Sequence, residues 1–237
     1  AQQKGSLPPI PAQLPAPGSD GIYRLGDREL TLDGRLQEPL DKFIRNHGMP
    51  VAAVAVVEVA TGKILALAQG KDPHMWGSDQ HSSLYTGFPA ASLFKTVGAT
   101  AALEILDWRG DEGMTLIGGC AHVRPTGIWM RENIPSHNNQ ITLKRAYGSS
   151  CNGFFAKLVV NHLGLGTILD YARRYGWGSP VDADFHSEPI PMRPPTPTTA
   201  SVHSVGTFAA GFGQVGTSAV HSSWIAMAVA NEGVPRP

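Results

Sequence analysis

The amino-acid sequence predicts an α+β fold in which helices pack on an antiparallel sheet. A helical segment over residues 34–46 comes first, a β-hairpin over residues 51–68 follows, and most later segments have helical composition. Helices segregated along the chain from antiparallel strands are typical of α+β proteins. Only the first hairpin of that sheet is evident in the sequence. Because two strands do not form a stable sheet, we expect further strands to be needed to complete it.

The first helix has a clear start and stop. Asp33 is a favourable N-cap, and Gly48 and Pro50 end the segment. Its apolar residues have the i, i+4, i+7, i+8 spacing that predicts one buried face: Leu36, Leu40, Phe43 and Ile44. The hairpin then joins a Val- and Ala-rich strand over residues 51–59 to a second strand over residues 63–68 through a turn at Thr61-Gly62.

The remaining segments alternate between helices and irregular stretches. We predict helices over residues 90–106, 142–147, 154–162, 167–175 and 218–230. Residues 107–139 are rich in Gly, Pro and Asn and predict an irregular stretch. Residues 187–200 are rich in Pro and predict a loop. Residues 1–20 hold five prolines and predict a linker or tail, so the folded domain is expected over residues 21–237.

The charge balance and hydropathy exclude several classes of function. The chain has 19 basic and 19 acidic residues, so it offers no electrostatic case for nucleic-acid binding. No apolar run approaches the roughly 18 residues that span a bilayer. No signal peptide is evident, although the sequence starts Ala1-Gln2-Gln3 and a targeting or anchoring segment could have been removed.

The two cysteines, Cys120 and Cys151, fit no zinc-site spacing. They predict either one disulfide, if the protein resides in an oxidising compartment, or two small buried thiols, which is the reading that we favour. The nine histidines are dispersed, so we expect neither a metal nor a cofactor.

The first candidate for chemistry is Ser92-Leu93-Phe94-Lys95, at the start of the predicted helix over residues 90–106. Positions i and i+3 share a helix face, so the Ser92 hydroxyl and the Lys95 amine can meet. A serine needs a neighbouring base, and a buried lysine can supply one. The alternative is a helix-capping serine with an exposed lysine.

The second candidate is Ser150-Cys151-Asn152, whose hydroxyl and amide can project to one side of a turn. The alternative is an ordinary helix N-cap. Ser136-His137-Asn138 has the same spacing in a loop and ranks lower. A Gly-rich stretch over residues 211–216 matches a dinucleotide fingerprint, but no strand leads into it, and we reject that reading.

Ser-x-x-Lys followed by Ser-x-Asn resembles the signature of penicillin-binding proteins and serine β-lactamases. The agreement extends along most of the chain and favours the transpeptidase domain of penicillin-binding proteins. It is carried in order by Leu30-Thr31-Leu32-Asp33, the hairpin turn at Thr61-Gly62, Pro89-Ala90-Ala91-Ser92, Ser149-Ser150-Cys151-Asn152-Gly153, Tyr175-Gly176, and Gly213-Gln214 with the helix to Asn231-Glu232-Gly233.

The resemblance implies a transpeptidase-like fold and an acyl-enzyme mechanism. Ser92 would attack a D-alanyl-D-alanine carbonyl, and its own N–H would form half of an oxyanion hole. Lys95 would take the Ser92 proton, Ser150 would pass a proton to the leaving group, and Asn152 would bind the acyl side chain and help to place Lys95. Peptidoglycan stem peptides, β-lactams and cell-wall synthesis proteins are the implied partners, in an extracytoplasmic location.

One departure from the family pattern matters. The third motif, Lys-Thr-Gly or a close variant on a sheet strand, is absent from the 237 residues. Three readings therefore stay open: a D,D-transpeptidase or carboxypeptidase, which we favour; a β-lactam sensor or inactive scaffold; and a β-lactamase.

Overall fold

The computed structural model describes residues 8–70, 81–130, 140–196 and 198–236. The chain divides into two compact units. The sheet unit comprises residues up to 88, 179–190 and from 217 onward, and the helical unit comprises residues 89–178 and 191–216. No helix among the described residues has the length and apolar character required to cross a membrane.

Short strands and seven α-helices make up the regular structure of the described residues. The strands are β1 (Arg24–Leu25), β2 (Arg28–Glu29), β3 (Ala53–Val57), β4 (Ile64–Gln69), β5 (Phe88–Pro89), β6 (Gly113–Thr115), β7 (Gln140–Thr142) and β8 (Gly216–Thr217). The helices are α1 (Gly34–Asn46), α2 (Lys95–Ile105), α3 (Leu143–Gly148), α4 (Asn152–Leu158), α5 (Gly164–Arg174), α6 (Val202–Ala209) and α7 (Ala219–Ala230). This mixture confirms the α+β class.

The sheet unit is built on the predicted hairpin. Strands β3 and β4 pair antiparallel, with an irregularity in register between Val56 and Val57. Helix α1 packs against β4 and helix α7 against β3. The buried side chains beneath the hairpin are Ile10, Leu67, Leu84 and Val220. The hairpin prediction is therefore confirmed, with each strand shorter than expected or shifted by a residue.

Helix α1 has the predicted bounds, and its predicted apolar face is buried only in part. The Asp33 carboxylate accepts a hydrogen bond from the Arg35 N–H, as an N-cap should. Ile44 is buried as predicted, whereas Leu36 and Phe43 are exposed and Gln37 is buried. The Gln37 amide pairs with the backbone of β4, since it accepts from the Leu67 N–H at 2.9 Å and donates to the Leu67 carbonyl at 2.6 Å. The predicted face is therefore confirmed at Ile44 and wrong at Leu36 and Phe43.

The helical unit contains most of the large buried side chains. Helix α2 packs against α5, and α4 packs against α6. Phe94 contacts the rings of Trp177 and Phe208 edge-on, at 5.0 and 5.2 Å between centroids. Phe154 and Phe155 are also fully buried. These aromatic groups form the packing on which the first turn of α2 rests.

Two helix predictions in this unit need correction. The segment predicted over residues 154–162 begins at Asn152 and ends in a π-helical turn, Val159–Leu163. Helix α6 lies in a stretch for which no helix was predicted. It begins at Ser201, whose hydroxyl accepts from the Ser204 N–H while the Ser204 hydroxyl accepts from the Ser201 N–H. This reciprocal cap starts the helix without the Glu or Gln that usually signals one.

Candidate active site

The first candidate serine lies in a strained turn. Residues Ala91–Phe94 form a 3₁₀ turn that leads directly into α2 at Lys95. Ala91, the residue before Ser92, has φ of +45°, in the left-handed region that side chains other than glycine rarely adopt. Such strain clusters at functional sites because the surrounding structure must hold it. Ser92 is exposed, whereas Lys95 is only 1% exposed.

The hydroxyls of both candidate motifs meet at the Lys95 amine. The Lys95 Nζ lies 2.9 Å from the Ser92 Oγ and 3.4 Å from the Ser150 Oγ. The two serine oxygens are 2.5 Å apart. Ser92 and Ser150 are 58 residues apart in the chain, so tertiary folding brings the two motifs together. A proton can pass between these three groups without any further movement of heavy atoms.

Burial prepares Lys95 to act as a base. It lowers the pKa of the amine from 10.5 to about 8, because the charged form loses its hydration inside the protein. Its place at the first residue of α2 also disfavours a positive charge, since helix N-termini carry a partial positive charge. A pKa of about 8 leaves roughly one tenth of the lysine neutral at pH 7, when it can accept a proton.

The second motif lies in the turn between α3 and α4. Ser149 caps the end of α3, Ser150 has φ of +55°, and Asn152 starts α4. The Ser150 N–H donates to the Tyr147 carbonyl at 3.0 Å and the Cys151 N–H to the Ala146 carbonyl at 2.8 Å. The left-handed Ser150 therefore projects from a turn that is bonded on both sides, and its hydroxyl is exposed.

The cysteines form a disulfide, which corrects the preference for two free thiols. The Cys120 and Cys151 sulfurs are bonded, with their Cα atoms 4.4 Å apart. Asn152 binds the same loop, since its N–H donates to the Cys120 carbonyl at 2.9 Å and its side-chain amide to the Ala121 carbonyl at 2.7 Å. The Ser-x-Asn turn is thus held covalently and by hydrogen bonds to residues 120–121.

Two contacts at Lys95 were missed by the sequence reasoning. The Lys95 amine donates to the carbonyl of Ala210 at 3.2 Å, and the ring of Phe212 lies 5.8 Å from it. Both residues follow α6, which the sequence analysis had not predicted. The available signal was the glycine pair around Phe212, which entered the sequence analysis as a rejected nucleotide fingerprint and, at Gly213, as part of the family resemblance. Ser136-His137-Asn138, the lower-ranked alternative, lies outside the described residues.

This geometry defines a class of site. An exposed hydroxyl bonded to a buried amine, with a second hydroxyl bridging the two, can carry out nucleophilic acyl transfer. Among the described residues, no group of three His, Cys, Asp or Glu side chains could hold a metal ion. The arrangement matches the Ser–Lys class of serine acyl-transfer centres.

Comparison with known families agrees with this class. The family model for the penicillin-binding protein transpeptidase domain matches residues 52–237. The chain belongs to this family. No curated protein sequence matches the chain.

Solved structures of penicillin-binding protein A from Mycobacterium tuberculosis share the fold. The imipenem acyl-enzyme complex superposes with a TM-score of 0.69 at 22% identity, covering 87% of this chain and 53% of that one. The penicillin G acyl-enzyme complex gives 0.68 at 23% identity, covering 87% and 53%. A further structure of that protein gives 0.68 at 21% identity, covering 87% and 52%. This chain therefore spans about half the length of these relatives.

Proposed function

We propose that this chain carries the nucleophile and its base for a D,D-transpeptidase or D,D-carboxypeptidase site. Such a site cross-links or trims peptidoglycan through an acyl-serine and is inhibited by β-lactams. The observation that carries the proposal is the mutual contact of three groups: the Ser92 hydroxyl, the Ser150 hydroxyl and the buried amine of Lys95. The acyl-enzyme complexes of the Mycobacterium tuberculosis relative support β-lactam acylation here by similarity of fold.

In the proposed acylation step, the Ser92 oxygen bonds to the penultimate D-alanine carbonyl carbon. The Ser92 proton moves to the neutral Lys95 amine, 2.9 Å away. Collapse of the tetrahedral intermediate breaks the C–N bond, and the departing D-alanine nitrogen takes a proton from Lys95 through the Ser150 hydroxyl. The proton balance closes, since one proton leaves Ser92 and one joins the leaving amine.

The acyl-serine is then released by an acceptor. Attack by an amine of a second stem peptide gives a cross-link, and attack by water gives a trimmed peptide. A β-lactam presents a carbonyl to Ser92 in the same way, but its ring opens without a fragment departing, so the adduct persists. Asn152, on the turn beside Ser150, is the proposed contact for the acyl side chain. The oxyanion binds the N–H of Ser92 in this scheme.

The proposal also covers domain and location. Residues 21–237 are proposed to belong to the transpeptidase domain, preceded by the proline-rich residues 1–20. An extracytoplasmic site of action is supported by the Cys120–Cys151 disulfide, because disulfides persist in oxidising compartments. Cell-wall synthesis proteins are the expected macromolecular partners.

A β-lactam sensor or an inactive scaffold homologue is the alternative. It would form the acyl-serine with a β-lactam and would turn over neither a peptide nor nitrocefin. A β-lactamase is the weaker alternative, as it must also hydrolyse its acyl-enzyme rapidly.

Labelled penicillin tests the proposal directly. The chain is incubated with the label, denatured, digested and mapped by mass spectrometry. We expect an adduct of the full penicillin mass on Ser92, and its loss in Ser92→Ala. Ser149→Ala is the matched control, because Ser149 is an exposed serine beside the site whose removal leaves all three catalytic groups in place.

Two turnover assays separate the candidates. Cleavage of a D-Ala-D-Ala peptide supports the transpeptidase or carboxypeptidase, and rapid nitrocefin hydrolysis supports the β-lactamase. A Ser92 adduct without turnover of either substrate supports the sensor. Absence of any adduct on protein that melts cooperatively would overturn the proposed nucleophile.

A further inference from the structure

The loop after α6 presses closely on the nucleophile turn. Gly211 has φ of +86°, and a Cβ atom added to it would come within 1.8 Å of the Ala91 carbonyl oxygen and 3.0 Å of the Phe94 Cβ. A glycine is required here, because any side chain would collide with the backbone of that turn. The left-handed Ala91 and the glycine thus lie in direct contact.

The same loop places an aromatic ring beside the lysine. Phe212 follows Gly211 and precedes Gly213, which also has φ of +86°. Its N–H donates to the Thr207 carbonyl at 3.1 Å, and this bond fixes it to the last turn of α6. Its ring centroid lies 5.8 Å from the Lys95 Nζ and the side chain remains 43% exposed. Single exposed apolar side chains are common on protein surfaces. Phe212 differs because it lies between two glycines with positive φ and beside the candidate base, so its position indicates a function.

We propose that Phe212 is a positioning residue for acyl transfer, whose ring covers the Lys95 amine and keeps water from it. The inference rests on the proposed function, because the acylation rate depends on the neutral amine. The oxygens of Ser92, Ser150 and Ala210 also contact the amine. The Phe212 ring is an apolar neighbour of the amine, and the side chain is 43% exposed.

Other titratable groups in the unit do not account for the state of this amine. Those on elements packed against α2 and on α6 are Glu104 on α2 itself, Lys144, Arg145 and Tyr147 on α3, Lys157 on α4, His162 on the π-helical turn, Asp170, Tyr171, Arg173 and Arg174 on α5, and His203 on α6. Glu104 bonds Tyr171 and Arg174, Tyr147 bonds Thr96, and Lys157 bonds the Thr115 carbonyl. Burial is the cause of the lowered Lys95 pKa, so the cover over the amine sets its value.

A ring at this distance has two opposing effects on the amine. Its face attracts the ammonium, but 5.8 Å is close to the limit of about 6 Å for that attraction. Exclusion of water disfavours the ammonium and is the larger effect for a lysine that is 1% exposed. Truncation of Phe212 is therefore expected to admit water and to raise the Lys95 pKa.

The test reads the lysine directly, without any acylation. The 237-residue chain is labelled with lysine carrying ¹³C at Cε, the Lys95 signal is assigned from Lys95→Arg, and its shift is titrated. We expect a pKa near 8 in the parent chain and a rise of about one unit in Phe212→Ala, since bulk water then reaches the amine. Phe212→Leu, which keeps an apolar cover, should remain within a few tenths of the parent.

The acylation rate gives the second readout. In Phe212→Ala the acid limb of the plot of penicillin acylation rate against pH should move to higher pH, because it follows the Lys95 pKa. The rate at pH 7 should therefore fall about tenfold, and the rate at pH 10 should stay nearly unchanged. Phe43→Ala is the matched control, because Phe43 is a similarly exposed phenylalanine in the sheet unit. It should change neither the titration nor the rate.

The outcomes are distinct. An unchanged or lower Lys95 pKa in Phe212→Ala, or a rate that falls equally at every pH, overturns the role of Phe212. If the titration shifts as expected but the parent chain forms no adduct, the proposed function fails and the covering role stands. If Phe212→Ala does not fold, as judged by its melt, Phe212→Ser replaces it in the titration, because a serine likewise removes the apolar cover and should raise the Lys95 pKa.

Discussion

Each unit of the molecule holds a hydroxyl bonded to a buried base, and the two pairs differ in access. In the helical unit the Lys95 amine lies 2.9 Å from the Ser92 Oγ. In the sheet unit the His81 Nδ1 lies 2.7 Å from the Ser83 Oγ. Burial lowers the pKa of both bases, to about 8 for Lys95 and about 4 for His81. Ser92 is exposed whereas Ser83 is fully buried, so only Ser92 can meet a substrate.

The backbone separates the two pairs as clearly as access does. Ala91 and Ser150, on either side of the lysine pair, both have positive φ. His81 has an ordinary φ of −57° at the start of a 3₁₀ turn. Left-handed non-glycine residues cost about 1–3 kcal/mol each and persist only where the surrounding structure holds them. Asp107 and Glu232 also have positive φ, so strain counts as a sign of a site only beside an exposed reactive group. A hydroxyl beside a base is therefore a weak sign of a site until exposure and strain accompany it.

The largest expected difference between the pairs concerns catalysis. Lys95→Met removes the base and should lower the penicillin acylation rate by about 10²–10⁴. The unfolding free energy should stay level or rise, because methionine fills the site without a buried amine. His81→Asn should leave the acylation rate unchanged and lower the unfolding free energy by about 1–3 kcal/mol, since the smaller amide leaves part of the buried space of the imidazole unfilled. Adduct kinetics and urea unfolding measure both, and a folded His81 variant that acylates as slowly as Lys95→Met would remove the distinction.

The disulfide provides the next difference between the two pairs. It anchors the turn that carries Ser150, and the His81 pair has no counterpart to it among the described residues. Replacing both Cys120 and Cys151 by alanine should lower the unfolding free energy by about 3 kcal/mol. It should also slow acylation, by up to about 10²-fold if Ser150 moves by 1 Å. Stopped-flow acylation and urea unfolding of the double variant, beside parent protein reduced and then reoxidised, measure the two effects. Equal acylation rates would show that the hydrogen bonds of Asn152 hold the turn alone.

Elements with local signals could be predicted from the sequence. Helices α1 and α7 begin where Asp33 and Ser218 place a capping side chain before a helical run. Helix α6 could not be predicted, because residues 202–209 combine glycine with β-branched and hydroxyl side chains of low helix propensity. Its formation depends on the Ser201 cap and on burial of Phe208 in the aromatic cluster.

In the site, as in the fold, contacts with a local sequence signal could be predicted and tertiary contacts could not. The i, i+3 spacing of Ser92 and Lys95 predicts their contact from local geometry. The contact between Ser92 and Ser150 could be predicted only from the family resemblance, since no local pattern links residues 58 positions apart. Phe212 was missed because its contact with Lys95 is tertiary, and the disulfide was disfavoured because the compartment cannot be read from two cysteines. The buried face of α1 was predicted only in part, because Gln37 is buried through hydrogen bonds to the backbone, which hydrophobic spacing does not detect.

The smallest expected effect is a difference in pH dependence. His81 has a folded pKa of about 4 against 6.5 when unfolded, so the unfolded chain binds more protons between these values, and stability falls as pH is lowered from 6.5 to 4. Lys95 has a folded pKa of about 8 against 10.5 when unfolded. The unfolded chain therefore binds more protons between these values, and the Lys95 contribution makes stability rise as pH is raised from 8 to 10.5. Between pH 6.5 and pH 5 the parent should lose on the order of 1 kcal/mol more than His81→Asn, whereas Lys95→Met should match the parent there and diverge above pH 8.

Urea unfolding of the three proteins at pH 5, 6.5, 8 and 10 measures both windows. Comparison with each variant removes the contribution of the surface carboxylates, which titrate equally in all three. If His81→Asn follows the parent through the acid window, the histidine is hydrated in the folded state and the two pairs differ in burial as well as in access. If instead both windows appear, burial alone tunes a base in either unit, and what distinguishes the lysine pair is the exposed serine that the strained turn presents.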